Sequence, residues 1–148
     1  MVDDVLAKKP DVIFVYVGIN DVWHKTLLGT GTDKDKFEKF YRALIHRLQA
    51  KSIQVVICTT ILIGEKSDGS NLQDAELDAY SDVIRQLAKE EICELVNLRA
   101  AFMNYLKFNN LANKESGLLI YDRVYLTDQG NQMVASQFLG RILSKTRP

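Results

Sequence analysis

Two short segments, about a hundred residues apart in the chain, carry the side chains best suited to chemistry. Residues 18–21 (Gly-Ile-Asn-Asp) directly follow an apolar run, and residues 122–127 (Asp-Arg-Val-Tyr-Leu-Thr) directly precede a predicted helix. A glycine permits a tight exit from a strand, and the Asn20 amide beside it would donate hydrogen bonds to an oxygen that becomes negative during acyl transfer. Taken alone, the first segment is also compatible with a plain turn.

Alternating strands and helices would position these segments. Apolar β-branched runs predict strands over 11–17, 53–59 and 94–98, and apolar stripes at helical spacing predict helices over about 33–50, 74–91 and 100–108, with a last helix capped by Thr127. The alternation predicts an α/β fold: a three-layer α/β/α sandwich with a parallel sheet, in a single domain over residues 1–148. In such sheets the working residues gather beyond the carboxyl ends of the strands, where the first segment falls.

Three local expectations complete the predicted architecture. The stretch between the first strand and the helix at 33 contains Gly29 and Gly31 and is predicted to be a loop. Residues 118–120 are apolar but too short for a core strand. The core stripe of the last helix is predicted to consist of Val134, Phe138, Ile142 and Leu143.

The composition excludes several classes of partner. The 148 residues carry 19 Lys+Arg and 19 Asp+Glu, so no net field would recruit nucleic acid or an anionic membrane surface. The longest apolar run, 12–17, is far short of the ~20 residues of a membrane-spanning helix. Cys58 and Cys93 lie in apolar runs and are predicted to be reduced core thiols. We therefore expect no nucleic-acid partner, no membrane span and no disulfide framework.

No metal or other cofactor is predicted either. The two histidines, His24 and His46, lie far apart in the sequence, and no ligand cluster has zinc spacing. The glycines at 29 and 31 lack the preceding strand and third glycine of a dinucleotide fingerprint. The acidic opening residues 1–4 do not resemble a secretory signal, which leaves the localisation open, with the cytoplasm as default.

The two chemistry-bearing segments together resemble conserved blocks of the SGNH, or GDSL-like, ester hydrolases. Residues 15–21 (Val-Tyr-Val-Gly-Ile-Asn-Asp) resemble the family's third block, Gly-x-Asn-Asp, and residues 122–127 resemble its fifth block, Asp-x-x-His. The resemblance covers the whole chain but only about the C-terminal three-quarters of a family domain. It implies a flavodoxin-like SGNH hydrolase fold and hydrolysis of carboxylic esters, acyl or acetyl, including esters on carbohydrate, through a serine acyl-enzyme.

By position, the resemblance implies a role for three residues. Asn20 would be the oxyanion donor, Gly18 would supply the backbone of the oxyanion loop, and Asp122 would be the acid of the catalytic triad. In the family, the triad serine comes from a Gly-Asp-Ser motif after the first strand, and the base is the histidine of the fifth block.

The residues after Asn20 are candidates for substrate binding, each with a structural alternative. Asp21 would contact substrate or hold its own loop. Trp23 would line an acyl pocket or plug the loop onto the sheet, and His24 would contact substrate or lie solvated in the loop.

Two departures from the family pattern predict that this chain is close to inert. No Gly-Asp-Ser occurs in the sequence, so we expect the nucleophile and its strand upstream of Met1, in an N-terminally truncated fold; residues 68–70 (Asp-Gly-Ser) are in the wrong order and in a polar loop. Tyr125 stands where the family has its general-base histidine. Because the reference pKa of tyrosine is ~10, only about one phenol in a thousand is deprotonated near neutral pH, a deficit of roughly 4 kcal/mol.

Two alternatives stay open at this point. The first is a non-catalytic binding or interaction module on the same fold, in which Tyr125 is a settled replacement. The second, a receiver-like flavodoxin fold, is disfavoured because no phosphoacceptor aspartate ends a strand with a matching lysine later.

A truncated sheet also predicts self-association. In the family strand order 2-1-3-4-5, loss of strands 1 and 2 would leave the run 11–17 as a long apolar edge. Such an edge pairs readily with another chain, so we expect self-association through this strand or its flanking helices, as in a symmetric dimer.

Overall fold

The computed structural model describes residues 2–144 and shows helices alternating with strands. In chain order the elements are α1 (Val2–Ala7), β1 (Val12–Tyr16), α2 (Ile19–Leu28), α3 (Lys34–Gln49), β2 (Gln54–Cys58), α4 (Asp74–Glu90), β3 (Glu94–Val96), α5 (Leu98–Asn109) and α6 (Asp128–Leu143). Each predicted strand and helix is present, and for most of them the ends lie one to two residues from the predicted ends.

The three strands form one parallel sheet in the order β1-β2-β3. Val12 lies opposite Gln54, and Val56 lies opposite Glu94. Within the described residues, β1 therefore has a strand neighbour on one side only, as the sequence predicts for the run 11–17. The carboxyl ends of all three strands meet at one edge of the sheet, which is where a parallel α/β fold places its working residues.

Helices cover both faces of the sheet. Helices α3 and α4 pack with Val15 and Ile57 on one face, and α5 and α6 pack with Val56 and Cys58 on the other, where the rings of Phe14 and Phe138 stack 4.6 Å apart. The predicted three-layer sandwich with a parallel sheet is therefore confirmed. None of the helices over 2–144 is long and apolar enough to cross a bilayer.

The segment after β1 is a helix, so the prediction of a loop there was wrong. Gly18, with a φ of 115°, precedes α2, and Gly29, with a φ of 65°, ends it by donating its N–H to the carbonyl of Lys25. Val22 is fully buried on the inner side of this helix. A ten-residue helix between two glycines holds too few apolar positions for its period to be separated from a turn.

Helix α6 begins as predicted but ends differently. The hydroxyl of Thr127 accepts a hydrogen bond from the Gly130 N–H, which caps the helix. Ile142 and Leu143 are about half exposed, so the predicted core stripe is wrong at its end. The reason is that Arg141 is the residue of the last turn that faces β3, where its guanidinium donates to the Leu95 carbonyl.

The two cysteines are separate thiols, and only Cys58 is buried as the prediction of core thiols requires. Cys58 is buried, and burial raises its pKa to about 12, so the thiol stays protonated near neutral pH. Cys93 is only half-buried; burial and the charge of Glu91 raise its pKa. Among the described residues no three His, Cys, Asp or Glu side chains are grouped to hold a metal ion.

The most unusual part of the fold is the buried irregular backbone over residues 59–65, directly after β2. Main-chain groups buried outside regular structure need partners from elsewhere. Arg99, which is only 2% exposed, donates to the Ile61 carbonyl at 2.8 Å, to Asp74 at 2.9 Å and to Asp78 at 2.7 Å. The guanidinium thereby fixes this segment against the first turns of α4.

Replacing Arg99 by Met should lower the free energy of unfolding by about 3–5 kcal/mol, because it takes the guanidinium away from the buried Asp74 carboxylate and the Ile61 carbonyl. Arg123→Met is the matched control. Arg123 pairs with Glu115 at 3.6 Å with both side chains exposed, so its loss should cost about 1 kcal/mol or less. Urea denaturation measures both. An equal, small loss in the two variants would contradict the role given to Arg99.

Candidate active site

An open cavity of about 520 Å³ lies where the start of α2 meets the segment before α6. It is lined by side chains from four stretches of the chain: Tyr16, Ile19, Asn20, Trp23, Ile61, Tyr121, Val124, Tyr125, Leu126 and Asn131. None of these lining residues carries a formal charge. Aromatic rings and amides around a cavity of this size suit a neutral ligand that offers hydrogen-bonding groups.

Gly18 allows the chain to turn directly from β1 into α2. A Cβ at this position would lie 3.1 Å from the ring of Phe37 and 3.3 Å from the methyl group of Thr60, on a backbone whose positive φ already favours glycine. The tight exit places Asn20 in the first turn of α2, exposed on the cavity. Its side-chain amide has no hydrogen-bond partner among residues 2–144, so it is free to bind a ligand.

The predicted acid lies beside the cavity rather than in its lining. One carboxylate oxygen of Asp122 accepts hydrogen bonds from the next three backbone N–H groups, at 2.8, 3.2 and 3.1 Å. These bonds close a tight turn that carries Tyr125 into the lining. The structure therefore brings Asn20 and Tyr125 to the same cavity, and the Asp122 carboxylate shapes the turn over residues 122–125 that precedes α6.

Trp23 and Tyr125 form one aromatic wall of the cavity. Their rings meet edge to face, with centroids 6.5 Å apart and planes at 88°. The Tyr125 side chain is otherwise open, and the residue is 61% exposed. The Trp23 indole N–H is buried and has no acceptor among the described residues. This contact joins the segment after β1 to the segment before α6, although the two residues lie far apart in the sequence.

Asp21 and His24 lie outside the cavity lining. The Asp21 carboxylate accepts a hydrogen bond from the Thr32 N–H at 3.2 Å, so it holds the connection that follows α2. His24 is half-buried on α2, not in a loop, and its ring lies 5.5 Å from that of Trp23. Contact of either residue with substrate stays a prediction.

Sequence reasoning missed several lining residues. Tyr16 ends β1, and burial raises the pKa of its phenol, which therefore stays a neutral hydrogen-bonding group. Its position at the carboxyl end of a strand was a usable signal. Tyr121 and Asn131 flank the predicted acid turn and gave no such signal. Ile61 reaches the cavity only because the buried segment after β2 carries it there.

Comparison with known sequences identifies relatives over nearly the whole chain. The profile of the GDSL-like Lipase/Acylhydrolase family matches residues 1–133. An acetylxylan esterase from Geobacillus stearothermophilus is 30% identical over 145 residues, which are 95% of this chain and 63% of that protein. The chain thus spans less than two thirds of the length of this curated relative.

Solved structures agree with this result. The acetyl xylan esterase AlAXEase superimposes with a TM-score of 0.94 at 51% identity, over 96% of this chain and 72% of that one. Axe2, an acetylxylan esterase from Geobacillus stearothermophilus, superimposes with a TM-score of 0.82 at 28% identity, over 95% of this chain and 63% of its own. The catalytic mutants of Axe2 replace a serine, an aspartate and a histidine three positions after that aspartate. On the family profile and these relatives together, the chain belongs to the GDSL-like lipase/acylhydrolase family.

Proposed function

We propose that this chain carries the oxyanion-donor side and the acid turn of a carboxylic-ester hydrolase site, and that acetyl esters of carbohydrate are its ligand class. The observation that carries the proposal is the common lining of one uncharged cavity by Asn20 and Tyr125. The names of the relatives, which are acetylxylan esterases, support the ligand class.

In this proposal Asn20 acts on the developing charge. Attack of a serine hydroxyl on the ester carbonyl moves charge onto the carbonyl oxygen, and a fixed amide donor stabilises that oxygen more in the transition state than in the ground state. The free amide of Asn20, held on the first turn of α2 directly after the Gly18 turn, is suited to this role.

The same chain lacks two parts of the reaction, so we propose that it is inactive by itself. Its sequence contains no Gly-Asp-Ser motif. Three positions after Asp122, where the spacing of the Axe2 variants puts a histidine, it has Tyr125. A phenol cannot take the proton of a serine near neutral pH, and it offers no second nitrogen for an acid to orient.

The unmodified chain is expected to hydrolyse p-nitrophenyl acetate no faster than buffer, and Tyr125→His alone should not change this, because the serine is still missing. Fusing to the chain the segment of Axe2 that carries the serine replaced in its catalytic mutant should restore turnover only together with Tyr125→His. Loss of the base from a comparable triad lowers kcat on the order of a millionfold. The kcat of the fusion that keeps Tyr125 should therefore lie far below that of the fusion with Tyr125→His. Release of p-nitrophenolate measures each.

Two outcomes would contradict this account. Turnover by the unmodified chain that a serine-directed phosphonate abolishes would show that a nucleophile is present. Equal turnover by the fusion that keeps Tyr125 and the fusion that carries Tyr125→His would show that residue 125 does not occupy the position of the general base.

The second candidate function is a non-catalytic carbohydrate-binding module, favoured by the intact aromatic wall of Trp23 and Tyr125 in a chain without a nucleophile. Sugar rings pack well against aromatic side chains, and amides supply the hydrogen bonds that fix their orientation. Trp23 is the only tryptophan, so its fluorescence reports on this cavity alone.

Acetylated xylo-oligosaccharide should quench or shift the Trp23 fluorescence saturably without being deacetylated. Asn20→Ala should weaken binding by about 2–10-fold, the effect of one lost hydrogen bond, whereas Asn104→Ala on the exposed side of α5 should leave it unchanged. Equal binding of the oligosaccharide without acetyl groups would argue against recognition of the ester. If the Trp23 fluorescence showed no saturable change, the proposal of a carbohydrate-binding module would be contradicted.

We also propose that the chain self-associates through β1. Its free edge lies beside an apolar groove of about 240 Å³ formed with residues of α1 and α3. Unpaired strand edges next to apolar surface favour pairing with another chain.

Light scattering at high protein concentration should show a dimer that Val12→Lys shifts toward monomer, because a lysine on an edge strand opposes pairing. Val12 is 42% exposed, so the change should not disturb the core. Leu72→Lys, on the exposed loop before α4, is the control and should leave the dimer intact. A strictly monomeric unmodified chain would contradict the proposal.

A further inference from the structure

Glu65 has an unusual environment for an acidic side chain. It is fully buried, and its carboxylate accepts hydrogen bonds from three consecutive backbone N–H groups. The Leu118 N–H donates to Oε2 at 2.9 Å. The N–H groups of Leu119 and Ile120 both donate to Oε1, and the distance from Ile120 is 2.5 Å. No lysine or arginine forms an ion pair with it among the described residues. Its side-chain oxygens are bound by main-chain N–H groups instead.

This arrangement requires a carboxylate specifically. Both oxygens of the Glu65 side chain act as acceptors, and three donors converge on them. An amide in the same place would point its NH₂ group at one or more of the donors, leaving at least one of the three N–H groups unpaired. Glutamine, although it has nearly the same shape, therefore cannot reproduce these contacts.

Glu65 is itself fixed by the surrounding backbone. Its N–H donates to the carbonyl of Glu115 at 2.9 Å, and its carbonyl accepts from the side chain of the buried Asn110 at 2.6 Å. The preceding residue, Gly64, donates its N–H to the carbonyl of Arg123 at 3.1 Å. The side chain thus extends from a rigid origin, so the position of its oxygens is well defined.

The three residues that Glu65 holds form the base of the acid turn. Ile120 pairs with Leu126 in a short antiparallel bridge, and the Tyr121 N–H donates to the carbonyl of Tyr125 at 3.0 Å. Asp122 closes the turn from within. The position of Tyr125 in the cavity therefore depends on the position of residues 118–120.

We propose that Glu65 is a positioning residue of the site: by binding three main-chain N–H groups at the base of the turn over 121–125, it keeps Tyr125 in contact with Trp23 and sets the shape of the cavity. It does not touch the ligand. The functional meaning of this role rests on the proposed function, since the turn matters only if the cavity binds ligand. The positioning itself is testable with no ligand present.

The test uses fluorotryptophan in place of the only tryptophan, which gives a single ¹⁹F resonance next to Tyr125. In Glu65→Gln we expect that resonance to broaden or split, with a new component near the shift of Tyr125→Ala, in which the ring contact is absent. Glu115→Gln is the matched control, because it makes the same change on an exposed side chain of the same region and should keep one sharp line. Spectra are recorded where circular dichroism shows every variant fully folded.

A single unshifted line in Glu65→Gln, accompanied only by a lower Tm, would overturn the proposal, because Glu65 would then contribute stability without positioning the turn. If Glu65→Gln does not fold, Glu65→Asp is measured in the same way; its shorter side chain keeps the charge but cannot reach all three N–H groups. Amide hydrogen exchange of the unmodified chain is a second, independent test. Residues 118–120 should be protected like β2, and exchange as fast as at exposed amides would overturn the proposal.

Discussion

Irregular backbone can be buried only if its polar groups find partners, and this requirement determines how the chain is held together after β2. Residues 59–65 are all buried. Arg99 satisfies the Ile61 carbonyl, Asn110 satisfies the Glu65 carbonyl, and the Glu65 carboxylate binds the backbone at 118–120. One segment thereby connects the centre of the sheet to the floor of the cavity, through Ile61, and to the turn before α6. These polar partners therefore support the cavity from behind, in addition to the ring contact between Trp23 and Tyr125 across it.

The charges needed for this support are kept out of the cavity. The guanidinium and carboxylates lie behind its walls, whereas the lining consists of aromatic, aliphatic and amide side chains. A neutral lining gives little attraction for phosphates or free carboxylates and suits an ester on a neutral sugar. Within that setting, Tyr125 preserves an aromatic surface where a base would be expected. The proposed loss of turnover and the proposed binding of carbohydrate both rest on this residue.

The sequence predicted those features of the fold that depend on neighbouring residues, such as apolar runs and strand ends. The β-branched runs predicted the three strands, and the carboxyl-end rule pointed to the segment around Asn20, which in the structure lines one cavity with Tyr125; the roles assigned to these residues stay predictions. Helix α2 was missed because its ten residues between glycines resemble a turn. Glu65 and Arg99 were missed for a different reason: their main partners are backbone groups or acids that lie twenty to fifty-five residues away, and such pairings leave no periodic pattern in a sequence.

The contact between the segment after β1 and the segment before α6 is the feature on which the proposed site depends most. A nuclear Overhauser spectrum of the unmodified chain tests that contact directly, because Trp23 is the only tryptophan and its ring protons are identifiable without ambiguity. The edge-to-face geometry predicts cross-peaks between the rings of Trp23 and Tyr125. Cross-peaks within the core pair Phe14 and Phe138, together with none between Trp23 and Tyr125, would show that the two segments do not form a common cavity.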